Sequence, residues 1–318
     1  MTTKEKVLKK LISAQNEFVS GEELADSLGL SRASVWKAIK TLQSEGFTID
    51  AVTNKGYRLN SDHDILTTQT ISNALNNSDI EVYHYKTIDS TNNEAKRLLA
   101  TGTRKILLIT ADEQTEGRGR QGKSFYSPAN TGIYMSLVLH PMIKLENSVI
   151  STTAAAVAVC RAIELLTDKK PLIKWVNDVY LDDKKICGIL TEALTDFETQ
   201  IVTSLVLGIG INMNTESFPS DVENASSLEA DISRNELIAA IINEIFKIMD
   251  AHSKDFIEYY REHSLIIGKR INFIKNGVVT PAKALNIDEN GALVVQLDNG
   301  DITTLSSGEI TIRKTEGE

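Results

Sequence analysis

The chain has 318 residues, too long for one small module and long enough for two or three domains that need no disulfide or metal staple. Apolar residues make up 42% and charged residues 24%, which excludes wholesale disorder. No uninterrupted apolar run approaches the length of a membrane span, no signal peptide is visible, and two cysteines, Cys160 and Cys187, make no disulfide framework. A reducing cytoplasm is therefore the expected setting, without membrane contact. The net charge of −9 is uneven: residues 1–60 carry nine Lys and Arg against seven Asp and Glu, so the rest of the chain carries −11. Nucleic acid is thus compatible with the head alone.

The head reads as three helices and a hairpin. Thr2 and Glu5 stand at capping-box spacing before Val7, Leu8, Leu11 and Ile12, and Ser20 and Glu23 repeat the spacing before Leu24, Ala25 and Leu28. Gly29 ends the second helix and Ser31 caps a third with Val35, Ile39 and Leu42 on its inner face, a helix-turn-helix spacing. The outer face carries Ser31, Arg32, Ser34, Lys37 and Lys40, with no acid before Glu45. Such a helix suits a major groove, and the turn Asn54-Lys55-Gly56 makes a wing that brings Lys55 and Arg58 to phosphates. The plainer alternative is a helical bundle with a solvated basic face.

Residues 61–66 read as a hinge, after which strands and helices alternate. Strands are expected at 82–85, 106–111, 133–139, 172–175, 179–181, 185–192 and 201–211, with helices at 91–99 and 148–166. Some strand pairs are too close for a crossover helix, so the sheet is mixed. A further helix begins near Ser233 and runs towards His263. The last fifty residues alternate short strands with Asn-Gly turns, a small barrel of SH3-like type.

Four stretches of the middle region look chemical. Asp89-Ser90-Thr91-Asn92-Asn93-Glu94 offers small hydroxyls and an amide for a neutral polar ligand group, although Thr91 and Glu94 also fit another capping box. Gly117-Arg118-Gly119-Arg120-Gln121-Gly122, preceded by Gln114, joins glycines that admit close backbone approach with two planar cationic forks. It is neither a Walker A loop nor a Rossmann fingerprint, and anion binding is favoured over a solvated basic loop. Lys174-Trp175-Val176-Asn177-Asp178 precedes Lys185, which opens an apolar strand and can balance a carboxylate or acyl phosphate, or merely snorkel. Gly208 and Gly210 interrupt an apolar strand, as close approach by a ligand or another strand requires. The five histidines give no metal-ligand pair, so no metal site is expected, and Cys187 is a conceivable but poorer nucleophile.

Taken in order, the DSTN run, EQ-x-x-GRGRQG, KWVND followed by KKICGIL, GIGINMN and the C-terminal barrel resemble the biotin protein ligase family, in the bifunctional form that also represses biotin-synthesis genes. Val176 stands where the family usually has Pro, and Phe125 where it usually has Trp. The resemblance implies an α+β multidomain chain: a winged helix-turn-helix DNA-binding domain (1–62), a mixed α/β catalytic domain of the biotin/lipoate ligase type (63–267) and an SH3-like domain (268–318). It implies ATP, with Mg²⁺, and biotin as substrates, with no bound prosthetic group. Biotinyl-5′-AMP would form first, and a lysine of a biotin carboxyl carrier domain would then be acylated. Ser90, Thr91 and Gln114 would bond the ureido ring, with Asn92 supporting the pocket. Gly117, Arg118, Gly119 and Arg120 would close over biotin and the acyl phosphate. Arg120 and Lys185 would stabilise charge, Gly188 and Ile189 would line the pocket, Asp178 would orient the acceptor lysine, and Phe218 would cover adenine. Residues 1–60 would bind operator DNA as part of a homodimer favoured by the adenylate. Two alternatives stay open, a non-enzymatic biotin-sensing repressor and a lipoyl or octanoyl transferase.

Overall fold

The computed structural model describes residues 1–14, 16–60, 64–145, 148–222, 224–250, 255–275 and 277–312. The chain forms two compact units, Met1–Ser78 with Ile232–Ala239, and Asp79–Asp231 with Ala240–Glu318.

The first unit contains α1 (Thr3–Ser13), α2 (Gly21–Leu28), α3 (Arg32–Ser44), β1 (Ile49–Val52), β2 (Gly56–Leu59) and α4 (Thr68–Ala74). Local signals set these boundaries. Thr2 Oγ1 accepts from the Glu5 amide at 3.3 Å while Glu5 Oε2 accepts from the Thr2 amide at 2.9 Å. Ser20 and Ser31 cap α2 and α3 by accepting from the amides of Glu23 and Ser34. Gly29 ends α2 at φ 63°, a left-handed conformation that costs glycine little. The inner faces then close one core of Val7, Leu8, Leu11, Leu24, Val35, Ile39, Leu42, Phe47, Ile49 and Leu59. The β1–β2 hairpin is the wing, and Val19 pairs with Tyr57 beside it.

Of the expected hinge, residues 61–63 lie outside the described residues. The rest differs from a free linker. Asp64 Oδ2 accepts from Arg234 Nε at 2.6 Å, Asp64 Oδ1 accepts from the Arg234 amide at 2.7 Å, and Leu66 is buried. A nearly buried guanidinium that has to be paired is the physical reason.

The second unit continues with β3 (Glu81–Ile88), α5 (Thr91–Ala100), β4 (Leu107–Gln114), β5 (Gly132–Leu139), β6 (Ile143–Lys144), α6 (Val149–Leu166), β7 (Leu172–Lys174), β8 (Asp178–Leu181), β9 (Lys184–Thr195) and β10 (Ile201–Asn212). Among the described residues these strands form one sheet in the order β3-β4-β5-β10-β9-β8-β7, with β6 on β10. Only β3 and β4 run parallel, joined by α5, and the remaining neighbours are antiparallel. The sheet is therefore mixed, as the spacing required. Every residue of β5 is buried, which explains its uninterrupted apolar run.

α6 is the long helix expected at 148–166. It has the length and hydropathy of a membrane span, with a mean hydropathy of 1.7 over 18 residues. Thr152, Thr153, Arg161 and Glu164 punctuate it, so no uninterrupted apolar run within it reaches that length. The helix is 61% buried, and its polar groups are used internally: Arg161 Nη1 donates to Glu244 Oε1 at 2.8 Å, and Glu164 accepts from Tyr259.

After α7 (Arg234–Asp250) and α8 (Asp255–Glu262), the chain forms β11 (Arg270–Lys275), β12 (Val278–Ile287), β13 (Leu293–Leu297), β14 (Ile302–Leu305) and β15 (Glu309–Ile312). They pair antiparallel in the order β14-β13-β12-β11-β15 around Ile271, Ala282, Ala284, Leu293 and Val295. The turn residue Asn276 lies outside the described residues, and β15 and α4 were not anticipated. The β12–β13 turn abuts the main sheet, where Gly291 O accepts from the buried indole of Trp175 at 2.9 Å.

Candidate active site

A cavity of about 190 Å³ opens in the second unit where the start of α5, the end of β4, the loop 118–125, the β7–β8 turn and the middles of β9 and β10 converge. Its floor is neutral and buried. Ser90, Thr91 and Asn92 are 1–3% exposed. Ser90 holds the N-cap position of α5 but makes no capping bond, and Glu94 accepts from Tyr85 and Arg97 instead. The capping box expected at Thr91 and Glu94 is thus absent, because α5 spends its first polar side chains on the sheet. Thr91 donates through both its amide and Oγ1 to Gln114 Oε1 at 2.9 and 3.1 Å. Gln114 Nε2 donates to Ser127 at 2.9 Å. Ser136 Oγ lies 2.8 Å from Thr91 Oγ1 and 2.6 Å from Asn92 Oδ1, while Asn92 Nδ2 donates to Glu192 at 2.9 Å. Ser90 Oγ has no partner among the described residues.

The two glycines of β10 serve this floor. A Cβ on Gly208 would overlap the Asn92 amide, and one on Gly210 would stand 2.5 Å from the Phe125 ring. The close approach expected there is made by side chains, one on the floor and one forming the aromatic wall. Glu192 is under opposed influences. Burial pushes its carboxyl up, but the bonds from Asn92 and Lys96 outweigh that and bring it below the ordinary range.

The other wall is cationic. Lys185 Nζ lies 2.8 Å from Asp178 Oδ1, which also accepts from Asn177 Nδ2 at 2.9 Å. Asn177 Oδ1 in turn accepts from Arg120 Nη1 at 2.9 Å, so Arg120, Asn177, Asp178 and Lys185 form one continuous chain. Arg118 donates to Asn93 at 2.9 Å, with Glu192 at 3.5 Å. The glycine loop closes on itself through Gly119 N to Lys123 O and Phe125 N to Gly117 O. It also reaches the barrel, where Lys123 pairs with Glu309, and residues 308–310 line the cavity. Lys174 faces the same space without a carboxylate partner among the described residues. Its Nζ is 3.5 Å from Tyr180 Oη, and burial holds its ammonium below the usual range against the pull of Asp178.

The structure therefore brings Ser90, Thr91, Asn92, Gln114, Arg118, Gly119, Arg120, Asp178, Lys185, Gly188 and Ile189 to one cavity, with Gly117 at the base of the loop. Phe218 is not among the lining residues and stands edge-on to Tyr126 at 6.3 Å. Cys187 is fully buried, and burial pushes its thiol far up, so it is no ready nucleophile. Lys174, Asn177 and Lys123 went unassigned from sequence, although all three adjoin the quoted motifs. Glu309 carried no sequence signal. No group of three or more His, Cys, Asp or Glu that could hold a metal occurs among the described residues.

On the first unit, Ser31, Arg32, Lys37 and Lys40 are exposed on α3 and Ser34 is half-buried against Ser31. Arg32 pairs with Glu22 at 2.7 Å and Lys40 Nζ donates to Gln43 at 3.2 Å. On the wing, Arg58 is held by Asp50 at 2.7 Å and by the Phe18 ring, whereas Lys55 is exposed.

Comparison with known proteins sets this geometry in context. Residues 3–58 match an HTH domain, residues 84–212 the biotin/lipoate A/B protein ligase family, and residues 266–313 the biotin protein ligase C terminal domain. The bifunctional ligase/repressor BirA of Bacillus subtilis is 32% identical over 324 residues, spanning 98% of this chain and 99% of that protein. The Escherichia coli protein of the same description is 32% identical over 330 residues, spanning 96% and 97%. The solved biotin protein ligase from Aquifex aeolicus in complex with biotin and ATP matches with a TM-score of 0.63 at 26% identity, covering 74% of this chain and 99% of that one.

Proposed function

The chain belongs to the biotin protein ligase family in its bifunctional ligase/repressor form, and we propose that the cavity of the second unit is where biotin and ATP react. The protein is an ATP-dependent biotin ligase with a DNA-binding helix-turn-helix head. The observation that carries the site assignment is the meeting, in one cavity, of a buried neutral floor with the Arg120–Asn177–Asp178–Lys185 chain.

Thr91, Gln114 and the unpartnered Ser90 hydroxyl offer hydrogen-bonding groups of both kinds at fixed positions, as a ureido ring requires and an alkyl chain does not. Asn92, locked between Ser136 and Glu192, holds Thr91 in place. The biotin carboxylate then lies against Lys185 and attacks the α-phosphorus of ATP, forming biotinyl-5′-AMP and releasing pyrophosphate. Arg120 and Lys185 stabilise the charge that shifts during transfer, and Lys174, with no carboxylate partner among the described residues, takes a leaving-group oxygen. Mg²⁺ enters with the ATP phosphates. The loop carrying Gly117, Arg118, Gly119 and Arg120 keeps water from the mixed anhydride, with Gly188 and Ile189 beneath it.

In the second step the amine of a carrier-domain lysine attacks the acyl carbon and AMP leaves. Both bonds to Asp178 among the described residues fall on Oδ1, which leaves Oδ2 to receive the amine's proton. Phe218, held at Tyr126, covers the adenine only if its loop moves. No covalent enzyme intermediate is needed.

The functional division runs 1–62 for DNA, 63–267 for catalysis and 268–318 for the barrel, which contributes Glu309 to the loop's closure. With adenylate bound, the protein pairs as a homodimer on a two-fold operator through Ser31, Arg32, Ser34, Lys37, Lys40 and Lys55, with Arg58 bracing the wing. A cytoplasmic setting, which supplies ATP and a carrier domain, fits this reaction. The test is the mass of a biotin carboxyl carrier domain after incubation with the full chain, biotin, ATP and Mg²⁺. One biotinyl group on one lysine, absent when that lysine is replaced by arginine, is expected. An unmodified carrier would overturn the ligase reading in favour of a sensor.

A further inference from the structure

The chain has two tryptophans, and they are treated in opposite ways. Trp175 is 3% exposed and donates its indole N–H to Gly291 O. Trp36 is 52% exposed, on the flank of α3 outside the buried stripe of Val35, Ala38, Ile39 and Leu42. Arg32, Trp36 and Lys40 follow at four-residue spacing and so share one stripe, with Ala33 and Lys37 beside them. No described cation covers the ring: Arg32 goes to Glu22, Lys40 to Gln43, and the cation–π contacts on this unit are to Phe18.

A single exposed apolar side chain is ordinary. This one stands in the middle of the cationic stripe that a helix-turn-helix lays into the major groove. Cations there bind phosphate whatever the sequence or read the acceptors of guanine, but they have no preference for an apolar group. The groove floor offers one apolar group, the C5-methyl of thymine, and a flat ring is the complement of that methyl. We propose that Trp36 reads sequence by packing its indole on a thymine methyl, making it a specificity-determining residue of the operator contact. The inference rests on the DNA-binding reading of the first unit.

The experiment uses the full chain with biotin and ATP. Duplexes are enriched from a randomised pool by the native protein, and each thymine of the enriched duplex is then replaced singly by uracil, which removes only the methyl. At one position, or one per half-site, the replacement weakens native binding about fourfold, the worth of one buried methyl group. Trp36→Ala binds the thymine and uracil forms alike, and Trp36→Phe retains part of the difference. Trp36→Ala keeps the native salt dependence, whereas Lys37→Ala lowers its slope by about 0.9. Because the ring is half in water, Trp36→Ala melts with the native protein, so lost discrimination is not lost folding.

Identical responses of native and Trp36→Ala to every uracil replacement would overturn the inference while leaving DNA binding intact. Loss of self-association in Trp36→Ala with unchanged base preference would also overturn it and assign the ring to a protein contact. Failure of the native protein to enrich any duplex would remove the DNA-binding reading itself.

Discussion

The floor and the cationic wall of the cavity face each other but are built on opposite physical terms. Floor side chains are neutral, nearly inaccessible except for the half-buried Gln114, and bonded mainly to each other and to Glu192 across strands that are distant in sequence. Wall side chains are charged and partly hydrated, and come from loops and strand ends, with Lys185 and Asp178 retaining 32% and 22% of their side-chain exposure. A buried neutral network is rigid and expensive to leave half-satisfied. A hydrated ion chain adds little to stability but can exchange its partners for those of a ligand. The lesson is a division of labour. Floor substitutions should act on folding and ligand selection, and wall substitutions on rate.

The largest expected break of that division is at Lys185. Lys185→Ala should slow adenylate formation about a hundredfold to a thousandfold, while its melting stays within about 0.5 kcal/mol of native. Pyrophosphate release and a denaturant melt, run side by side, check this; near-native release would refute the role. Next comes the loop. Arg120→Gly should let adenylate dissociate about ten- to a hundredfold faster, matching the loss of one charged hydrogen bond, and acylate bystander lysines. Full retention of adenylate by the variant contradicts the prediction.

On the floor, Asn92→Ala should cost about 2 kcal/mol of folding stability, because Ser136 and Glu192 lose a buried partner. A variant as stable as native would mean that the network is incidental. Asp89, at the foot of the floor, sharpens the comparison through pH. Hydrogen bonds from Arg97, helped by Asn93, hold its carboxyl well below the usual range. Its stabilisation is therefore complete above the ordinary carboxylate pKa and is lost as pH falls through the depressed native value. Solvent around Arg97 keeps the gap between native and Asp89→Asn to about 1 kcal/mol at pH 7, and the gap should close in strong acid. A gap that stays constant across pH would contradict this. The smallest effect is expected of the Lys123–Glu309 pair, both half in water, with a double-mutant coupling below about 1 kcal/mol.

The first unit was the most legible part of the chain because its decisions are local. Thr2, Ser20, Ser31 and Gly29 act within a few residues of themselves, and the apolar positions keep helical spacing. The main strands were legible as apolar runs, whereas β15 and α4 are too short and too polar to carry a period. α6 was legible as a long helix, and the polar residues that interrupt its apolar character find their partners only in the fold.

At the site, the residue types were readable and their arrangement was not. Thr91 beside Glu94 spells a cap, and only Ser136 and Gln114, 45 and 23 residues away, turn it into a floor. Gly208 and Gly210 announced a close approach without saying that Asn92 and Phe125 make it. Lys174 stood in a quoted motif, but its lack of a carboxylate partner among the described residues is a property of the fold. Glu309, 186 residues from Lys123, left no trace in sequence.

The most direct test of the account is pyrophosphate release by the full chain with ATP and Mg²⁺, comparing biotin, lipoate and octanoate. The account predicts release that depends on biotin and is negligible with the two acyl chains, since the floor presents hydrogen-bonding groups rather than an apolar channel. Release driven by lipoate or octanoate, with biotin inert, would contradict it.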